Sequence, residues 1–243
     1  MDYAVISDVH SNLEALDAVL ADIDRRGIKK ERTFFCGDAV GYGPNPNECI
    51  EILKKRAKVL IAGNHDWAVL GLTEAAYFNP NAKAAIRWTE EVLTPENRLT
   101  LETFSLAKRM KKENVFLVHG SPREPDEWHY LLTLFDAEIN FNYFEERTCF
   151  LGHSHLPFII EKLPSGELVM HKGKAELGPT HRYIVNAGSV GQPRDGDPRA
   201  CYALFGDERV ELVRVPYDIE SVQRKMSAAG LPLPLIERLR RGI

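Results

Sequence analysis

The stretch YAVISDVHSNLEAL, residues 3–16, decides the fold that this sequence predicts. Residues 3–7 form a short and mainly apolar run, which is typical of a buried parallel strand. From Asn12 onward the apolar side chains recur with the period of a helix, and Gly27 ends that pattern as a C-terminal glycine often does. A buried strand that passes at once into an amphipathic helix is the first half of a β-α-β unit.

The same order of elements continues after Gly27. We expect strands at residues 33–36 and 59–62, with a helix at about residues 47–56 between them. Strands joined by helices in this way form a parallel sheet with right-handed crossovers. The first part of the chain is therefore predicted to be of the α/β type.

The later part of the chain no longer alternates strands with helices. Pro164-Ser165-Gly166 lies between two apolar runs and is a hairpin signal. Parallel units followed by hairpins indicate an α/β fold, a four-layer α/β/β/α sandwich of two mixed sheets flanked by helices. The further predicted helices are at residues 81–92, 95–104 and 136–144 and from about 219. The further predicted strands are at residues 115–118, 148–151, 158–163, 167–171, 182–185, 200–205 and 209–215.

Composition narrows the possible classes of protein. The 243 residues are 44% hydrophobic and 27% charged, which is ordinary for a globular protein. No linker rich in Gly, Ser or Pro divides the chain, so we expect a single domain over residues 1–243 with a helical insert at about residues 73–112. The net charge of −4 provides no basic field, so nucleic acid is not indicated as a partner.

The N-terminal sequence has neither a basic segment nor an apolar core typical of a signal peptide. No apolar run approaches the ~18 residues that suggest a membrane span. The four cysteines are far apart and predict reduced, buried thiols rather than a metal site. We therefore expect a cytoplasmic protein without a membrane partner, and the oligomeric state stays open.

Polar side chains follow five of the predicted strands at the point where each strand ends. In an α/β sheet, ligands bind in the crevice beyond the carboxyl ends of the strands. Each residue alone could be a turn residue or a helix cap, but those roles do not explain why the same types recur five times. The candidate residues, nearly always beside a glycine, are Asp8, His10, Asp38, Asn64, His65, His119, His153 and His155.

Carboxylates, imidazoles and an amide oxygen are ligands for Mn, Fe, Co, Ni or Zn. The candidates are too many for one ion and suit two ions about 3.5–4 Å apart, the arrangement used for displacement at phosphorus. Such a pair needs a bridging carboxylate, and Asp38 lies in the middle of the set. Two divalent ions, two aspartates and a bridging hydroxide carry one net positive charge, which attracts a phosphate ester.

The candidate residues resemble the motifs of the calcineurin-like metallophosphoesterases, which read D-x-H, G-D, G-N-H-[DE], H and G-H-x-H. All five blocks occur here in that order between residues 8 and 155. Residues 41–44 and 188–194 are similar to the compact prokaryotic, phosphodiesterase-like members of the family. The resemblance implies a hydrolase that cleaves phosphodiester and/or phosphomonoester bonds, with a small phosphate ester as its substrate.

The resemblance also implies roles for individual residues. The first ion would be held by Asp8, His10, Asp38 and His155, and the second by Asp38, Asn64, His119 and His153. Manganese is the first expectation, with Fe, Zn, Ni or Co as alternatives. A hydroxide that bridges the two ions would attack phosphorus, and His65, which does not bind metal, would assist by contacting the phosphate or the leaving oxygen.

The stretch FLGHSH, residues 150–155, places two of these histidines close together. We expect His153 and His155 to serve different ions. The i, i+2 spacing would place both side chains on the same side of an extended segment, with Ser154 pointing elsewhere.

Three further residues are predicted to contact the substrate. Arg194 is the best cation for a phosphate, because a guanidinium donates to two oxygens at once. Asn12 is expected to be the N-cap of the first helix, whose start favours a phosphate. Tyr42 would line the rim of the site.

The chain departs from the serine/threonine protein phosphatases of the same fold, since their phosphate-binding arginines and the aspartate that partners their catalytic histidine are missing. What orients His65 is therefore open. Two alternatives stay open. The first is a non-catalytic metal-binding scaffold or interaction module of the same fold, and the second is a hydrolase of dinucleoside polyphosphates or other nucleotides.

Overall fold

The protein is described by a computed structural model that covers residues 2–73 and 78–243. In chain order the strands are β1 (Tyr3–Ile6), β2 (Thr33–Cys36), β3 (Val59–Ile61), β4 (Ala107–Met110), β5 (Val115–Val118), β6 (Thr148–Leu151), β7 (Phe158–Lys162), β8 (Leu168–His171), β9 (Lys174–Glu176), β10 (Arg182–Asn186), β11 (Ala200–Phe205) and β12 (Arg209–Val215). The helices are α1 (Leu13–Arg25), α2 (Pro46–Arg56), α3 (Asn64–Leu70), α4 (Pro80–Val92), α5 (Pro95–Glu102), α6 (Leu134–Asn140), α7 (Ile219–Ala228) and α8 (Leu233–Glu237).

The strands form two six-stranded mixed sheets. The first has the order β3-β2-β1-β11-β12-β9 and the second the order β4-β5-β6-β10-β7-β8. Strands β1, β2 and β3 are parallel, as are β5, β6 and β10, while the other pairs are antiparallel. Each sheet therefore has a parallel half, and the carboxyl ends of these strands lie at one edge.

The first βα unit forms for the reasons that the sequence indicates. Asn12 caps α1, since its side-chain oxygen accepts a hydrogen bond of 3.1 Å from the backbone N–H of Ala15. The helix buries its apolar stripe, including Leu16 and Ile23, and the chain leaves through Gly27 with φ of +69°. The predicted N-cap and the C-terminal glycine are both confirmed.

The core lies in three layers. Between the two sheets, Phe34 of the first sheet and Phe150 and Tyr183 of the second are fully buried. Burial of a side chain such as Phe150 contributes about 1.5–3 kcal/mol. The outer face of the first sheet packs against α1 and α2, and the outer face of the second packs against α6. The predicted α/β sandwich of two mixed sheets flanked by helices is confirmed.

Some elements differ from the sequence prediction. In the stretch predicted as a helical insert, the structure has α4 and α5 but also β4, an edge strand with exposed Lys108 and Arg109. Residues 74–77 lie outside the described residues. Strand β9 and helix α3 were not predicted either, because each is too short to give a periodic pattern. Among the described residues, no helix combines the length and apolar character that crossing a membrane requires.

Candidate metal centre

The carboxyl ends of β1, β2, β5 and β6 and the start of α3 bring all seven predicted metal ligands to the seam between the two sheets. The chain turns sharply after the strands. Five of the predicted ligands have the left-handed backbone conformation that is uncommon for residues other than glycine. They are Asp8 (φ 53°), His10 (48°), Asp38 (59°), His153 (66°) and His155 (60°). Such positions cost about 1–3 kcal/mol each and cluster at functional sites.

A first group consists of Asp8, His10 and His155, all of them buried. Asp8 Oδ1 lies 3.2 Å from His155 Nε2 and 3.8 Å from His10 Nε2. The two histidine Nε2 atoms are 3.1 Å apart. One atom from each side chain therefore points to a common centre.

A second group consists of Asp38, His119 and His153. Asp38 Oδ2 lies 3.3 Å from His119 Nε2, and Asn64 Oδ1 lies 3.2 Å from the same nitrogen. Asp38 Oδ2 is also 3.6 Å from His10 Nε2 of the first group. Asp38 therefore lies between the two groups, at the position that a bridging carboxylate takes.

Backbone carbonyls fix the protonation of three of the histidines. Nδ1 of His10, His119 and His155 lies 3.1, 2.7 and 2.5 Å from the carbonyl oxygens of Val40, Cys36 and Gln192, respectively. A carbonyl only accepts, so each Nδ1 carries a proton, and Nε2 is the nitrogen that presents a lone pair whenever the ring is neutral.

This donor set fits divalent metal ions. The facing lone pairs of His10 and His155 repel each other unless a proton or a cation lies between them. In addition, Nε2 of His153 is buried and has no hydrogen-bond partner among the described residues. A histidine that donates one ring N–H to a carbonyl and presents the other nitrogen is the usual form of a metal ligand.

His153 and His155 belong to different groups, as the sequence predicts, but the geometric reason given for this was wrong. The segment is not extended, because both residues are left-handed and form a turn. The backbone N–H of His153 donates to the Asp8 carboxylate at 3.0–3.1 Å, and Ser154 Oγ accepts from Asn186 Nδ2 at 2.9 Å. The turn, rather than strand alternation, sends the two imidazoles to different centres.

The charges of the two groups depend on one another. Burial alone would raise the pKa values of Asp8 and Asp38, but the surrounding histidines hold both below the usual value, so both are ionised. Burial lowers the pKa of His153 to about 3. Burial opposes protonation of His119 as well, but Asp38 raises its pKa to about 9. The metal-free site therefore carries a proton on His119.

Aromatic rings hold His65 in place, which answers the question of its orientation. Its ring centroid lies 4.4 Å from Tyr42, 4.8 Å from His10 and 4.9 Å from Phe78. Its Nδ1 is buried without a partner among the described residues, and burial lowers the pKa of the imidazole to about 4. One ring nitrogen of His65 lies within 4.8 Å of a possible ligand atom of His10 and of Asp38. That His65 does not bind metal therefore stays a prediction.

Asp66 is a positioning residue to which the sequence analysis assigns no role. Its carboxylate accepts backbone N–H bonds of 3.0–3.1 Å from Asp38, Val40 and Gly63. These bonds fix the loop after β2 to the first turn of α3, and thus Asp38 to His65. The sequence signal for this role was the acidic residue that ends the Gly-Asn-His-Asp block.

Comparison with known proteins agrees with this geometry. The family model described as the calcineurin-like phosphoesterase superfamily domain matches residues 1–208. The chain belongs to this superfamily. Its members are metal-dependent, and the two groups of side chains described above are able to hold metal ions.

Relatives cover nearly the whole chain. The uncharacterized protein MJ0912 of Methanocaldococcus jannaschii is 44% identical over 241 residues, which are 97% of this chain and 96% of that protein. The crystal structure of a metallophosphoesterase from Sphaerobacter thermophilus is 41% identical, with a TM-score of 0.86 over 100% of this chain and 99% of its own. The hypothetical protein PH1004 from Pyrococcus horikoshii OT3 shares the fold, with 22% identity and a TM-score of 0.79 over 100% and 98% of the two chains.

In this phosphoesterase superfamily member, a pocket of about 350 Å³ lies beside the second group, since Asn64 and His153 line it. Tyr42 and Arg194, which are predicted to contact the substrate, line it together with His65. Asn12 does not, because its Nδ2 donates to the Gly191 carbonyl at 2.8 Å and its Oδ1 caps α1. The structure gives Asn12 a role in holding the backbone. The other lining residues are Asn64, Thr73, Phe78, Asn79, Ala82, Glu127, Trp128, Tyr130 and His153.

Proposed function

We propose that the protein is a hydrolase of phosphate esters, which are phosphodiesters and/or phosphomonoesters. Two divalent metal ions would be held by the two groups of side chains. The position of Asp38 between these groups is the observation that carries this proposal, since one carboxylate within reach of both suits a pair of ions. Manganese is our first candidate, and Fe, Zn, Ni or Co satisfy the same donors.

When bound, the two ions activate a water molecule and neutralise charge on the phosphoryl oxygens. Asp8, His10, Asp38 and His155 would hold one ion, and Asp38, Asn64, His119 and His153 the other. His65 would contact the phosphoryl group or the leaving oxygen from the pocket wall. Since the imidazole is buried and neutral at pH 7, it is set to hydrogen-bond an anionic oxygen that approaches its ring.

Hydrolysis of p-nitrophenyl phosphate and of its bis ester tests the proposal. The protein is loaded with Mn²⁺, its metal content is measured, and turnover is followed with and without chelator. We expect two ions per chain and turnover that the chelator abolishes. Protein that holds two ions and turns over neither ester would contradict the enzymatic function and favour a metal-binding scaffold.

Nucleotides are a second class of substrate that a specific observation favours. Four aromatic side chains, Tyr42, Phe78, Trp128 and Tyr130, line the pocket beside the metal centre, and aromatic faces stack on nucleobases. A panel of phosphomonoesters, cyclic nucleotides and dinucleoside polyphosphates tests this. Higher kcat/KM for nucleotides than for p-nitrophenyl esters supports it, and equal values contradict it.

We place the reaction in the cytoplasm, where buried free thiols such as Cys36 stay reduced.

A further inference from the structure

Two arginines converge beside the pocket on a single glutamine. Arg194 Nη2 lies 3.3 Å from Gln192 Oε1 and 3.3 Å from the hydroxyl of Tyr42. Arg238, in the short 3-10 turn after α8, also donates through Nη2 to Gln192 Oε1. Its Cζ lies 4.6 Å from the centroid of the Tyr42 ring. Two positive groups therefore share one neutral oxygen and one aromatic ring.

Neither guanidinium has an ion-pair partner within residues 2–73 and 78–243, whereas Arg199 and Arg214 pair with Asp197 and Asp195. The Nε atoms of Arg194 and Arg238 are buried and unpartnered in the same part of the chain. Burial, together with the charge of Arg194, lowers the pKa of Arg238 to about 10, so Arg238 remains charged at pH 7. Partly buried, unpaired cations are costly, and an anion placed between them would offset that cost.

The pair lies one aromatic ring away from the metal centre. The Tyr42 ring lies 4.4 Å from that of His65 and 4.6 Å from that of His10. The backbone N–H of Arg194 lies 3.4 Å from the His155 carbonyl. An anion held by the arginines would thus be close to the reacting group, yet separate from it.

We infer that Arg194 and Arg238 form an anion subsite that takes a second phosphate-like group of the substrate, next to the phosphoryl group that is hydrolysed. This inference rests on the proposed function. The metal ions already neutralise the reacting group, so two further cations suit a second one, which a guanidinium binds through paired hydrogen bonds. Nucleoside diphosphates, which carry two phosphoryl groups, represent this class.

The segment that supplies Arg238 lies beyond residues 1–208, the part matched by the family model. Helices α7 and α8 pack through Val222, Met226 and Leu235 in one apolar cluster with Tyr42 and α4. The backbone N–H of Gly196 donates to the Gly242 carbonyl at 2.9 Å, which ties the C-terminus to the loop of Arg194. The C-terminal segment thus holds the Arg238 guanidinium against Gln192 and Tyr42, next to the pocket residue Arg194.

Phosphate binding to chelator-treated protein tests the subsite without any turnover. Calorimetric titration with sodium phosphate at constant ionic strength is expected to find one phosphate per chain. Arg238→Gln should weaken binding at least about tenfold, the effect of losing one charge-assisted hydrogen bond. Arg238→Lys, which keeps the charge but not the paired donors, should lie between the two. Arg241→Gln, an exposed neighbour with the same charge change, should bind like the wild type.

Wild-type protein that binds no phosphate, or Arg238→Gln protein that binds it as tightly as the wild type, overturns the subsite. Circular dichroism melting checks that each variant is folded. If Arg238→Gln is unfolded, Arg194→Gln carries the same comparison, because it removes the other cation without disturbing the C-terminal turn.

A second experiment asks whether the subsite selects a second phosphoryl group. ADP and AMP are compared as competitive inhibitors of p-nitrophenyl phosphate hydrolysis by Mn²⁺-loaded protein. We expect ADP to bind at least about tenfold more tightly than AMP, and this ratio to fall toward one in Arg238→Gln but not in Arg241→Gln. A wild-type ratio near one, or an unchanged ratio in Arg238→Gln, overturns the selection. Absent turnover contradicts the proposed function alone, and the phosphate titration then decides the subsite.

Discussion

His65 differs from the ligands around it in how it is held. Nε2 of His10, His119 and His155 is set by hydrogen bonds from Nδ1 to carbonyls, whereas His65 contacts three rings and has an unpartnered Nδ1 among the described residues. A Cβ at Gly41 would lie 2.5 Å from that Nδ1, so the missing side chain at Gly41 leaves room for the imidazole. Shape rather than a partner carboxylate orients this residue.

His65→Ala should keep both metal ions but lose about 10²–10⁴ in kcat, the usual contribution of a group that handles a proton in the transition state. Metal analysis and steady-state kinetics on p-nitrophenyl phosphate measure the two effects. His171→Ala, which removes a histidine paired with Glu161 outside the site, is the control and should turn over like the wild type. Wild-type kcat in His65→Ala would remove this residue from the mechanism.

Metal uptake should release protons, because His119 must lose its proton before Nε2 can bind an ion. In the metal-free protein Asp38 raises the pKa of His119 to about 9, against the effect of burial, so the ring is protonated at pH 7.5. The pKa values of His10 and His153 are lowered by burial, so these rings release none.

We therefore expect about one proton from the ligands per chain on metal binding, and weaker metal affinity as the pH falls below about 9. Calorimetry in two buffers of different ionisation enthalpy counts the protons. His119→Asn should abolish this release, and an unchanged proton count in that variant would contradict the assignment.

At the scale of elements, the turns after the strands build the site. Each parallel strand supplies a rigid start, and the left-handed residues that follow direct side chains into the seam. Glycines make the close approach possible, since a Cβ at Gly152 would lie 2.0 Å from Ser7 Oγ and 2.2 Å from Asp8 Oδ2. The turn after β6 can thus lie directly against the turn after β1.

Gly152→Ala should displace the Asp8 carboxylate and reduce the metal content to fewer than two ions per chain. Metal analysis and thermal melting measure the loss. Gly166→Ala is the matched control, because its Cβ would have open space and only its φ of +92° is unfavourable. That variant should lose about 1 kcal/mol of stability and keep both ions. Full metal content in Gly152→Ala would show that the turn can move away.

The sequence predicted that the candidate ligands lie together because each follows a strand whose apolar run is easy to recognise. It did not predict the left-handed turn at residues 153–155, since the conformation depends on the Asp8 carboxylate and Asn186, which come from distant parts of the chain. Strand β4 was missed because its exposed charges resemble loop sequence, and β9 because it has only 3 residues. These elements form by pairing with a neighbour rather than by local preference.

At the scale of the whole molecule, each group of ligands combines residues from both sheets. Asp8 and Asp38 follow strands of the first sheet, while His119, His153 and His155 follow strands of the second. Bound ions would therefore join the two sheets as well as serve the reaction.

Removal of metal should lower the thermal stability of the protein. Free Mn²⁺ at a hundred times its Kd stabilises the folded state by about 2.7 kcal/mol for each site. For a chain of this size that corresponds to a Tm about 5–10 °C higher for one site, or about 10–20 °C higher for two. Melting with Mn²⁺ and with chelator measures the difference, and Asp38→Asn should show a smaller one. An equal Tm in both conditions would mean that ions do not join the sheets.

Arg238 shows the limit of sequence reading at this scale. In the C-terminal stretch ERLRRGI it looks like one of several solvent-exposed basic residues. Only the docking of α7 and α8 against Tyr42 and α4 brings it to Gln192. No local pattern encodes that contact, because it depends on how helices from distant parts of the chain pack together.

The position of Arg238 after all the candidate ligands also sets an order of completion during synthesis. The two groups of side chains can close only after the chain through β11 has left the ribosome, because β10 and β11 pair with β6 and β1 and the Gln192 carbonyl holds His155. The arginine pair forms later, when Arg238 has emerged and folded back onto Gln192. A nascent chain would thus be able to acquire metal before it can distinguish its substrates.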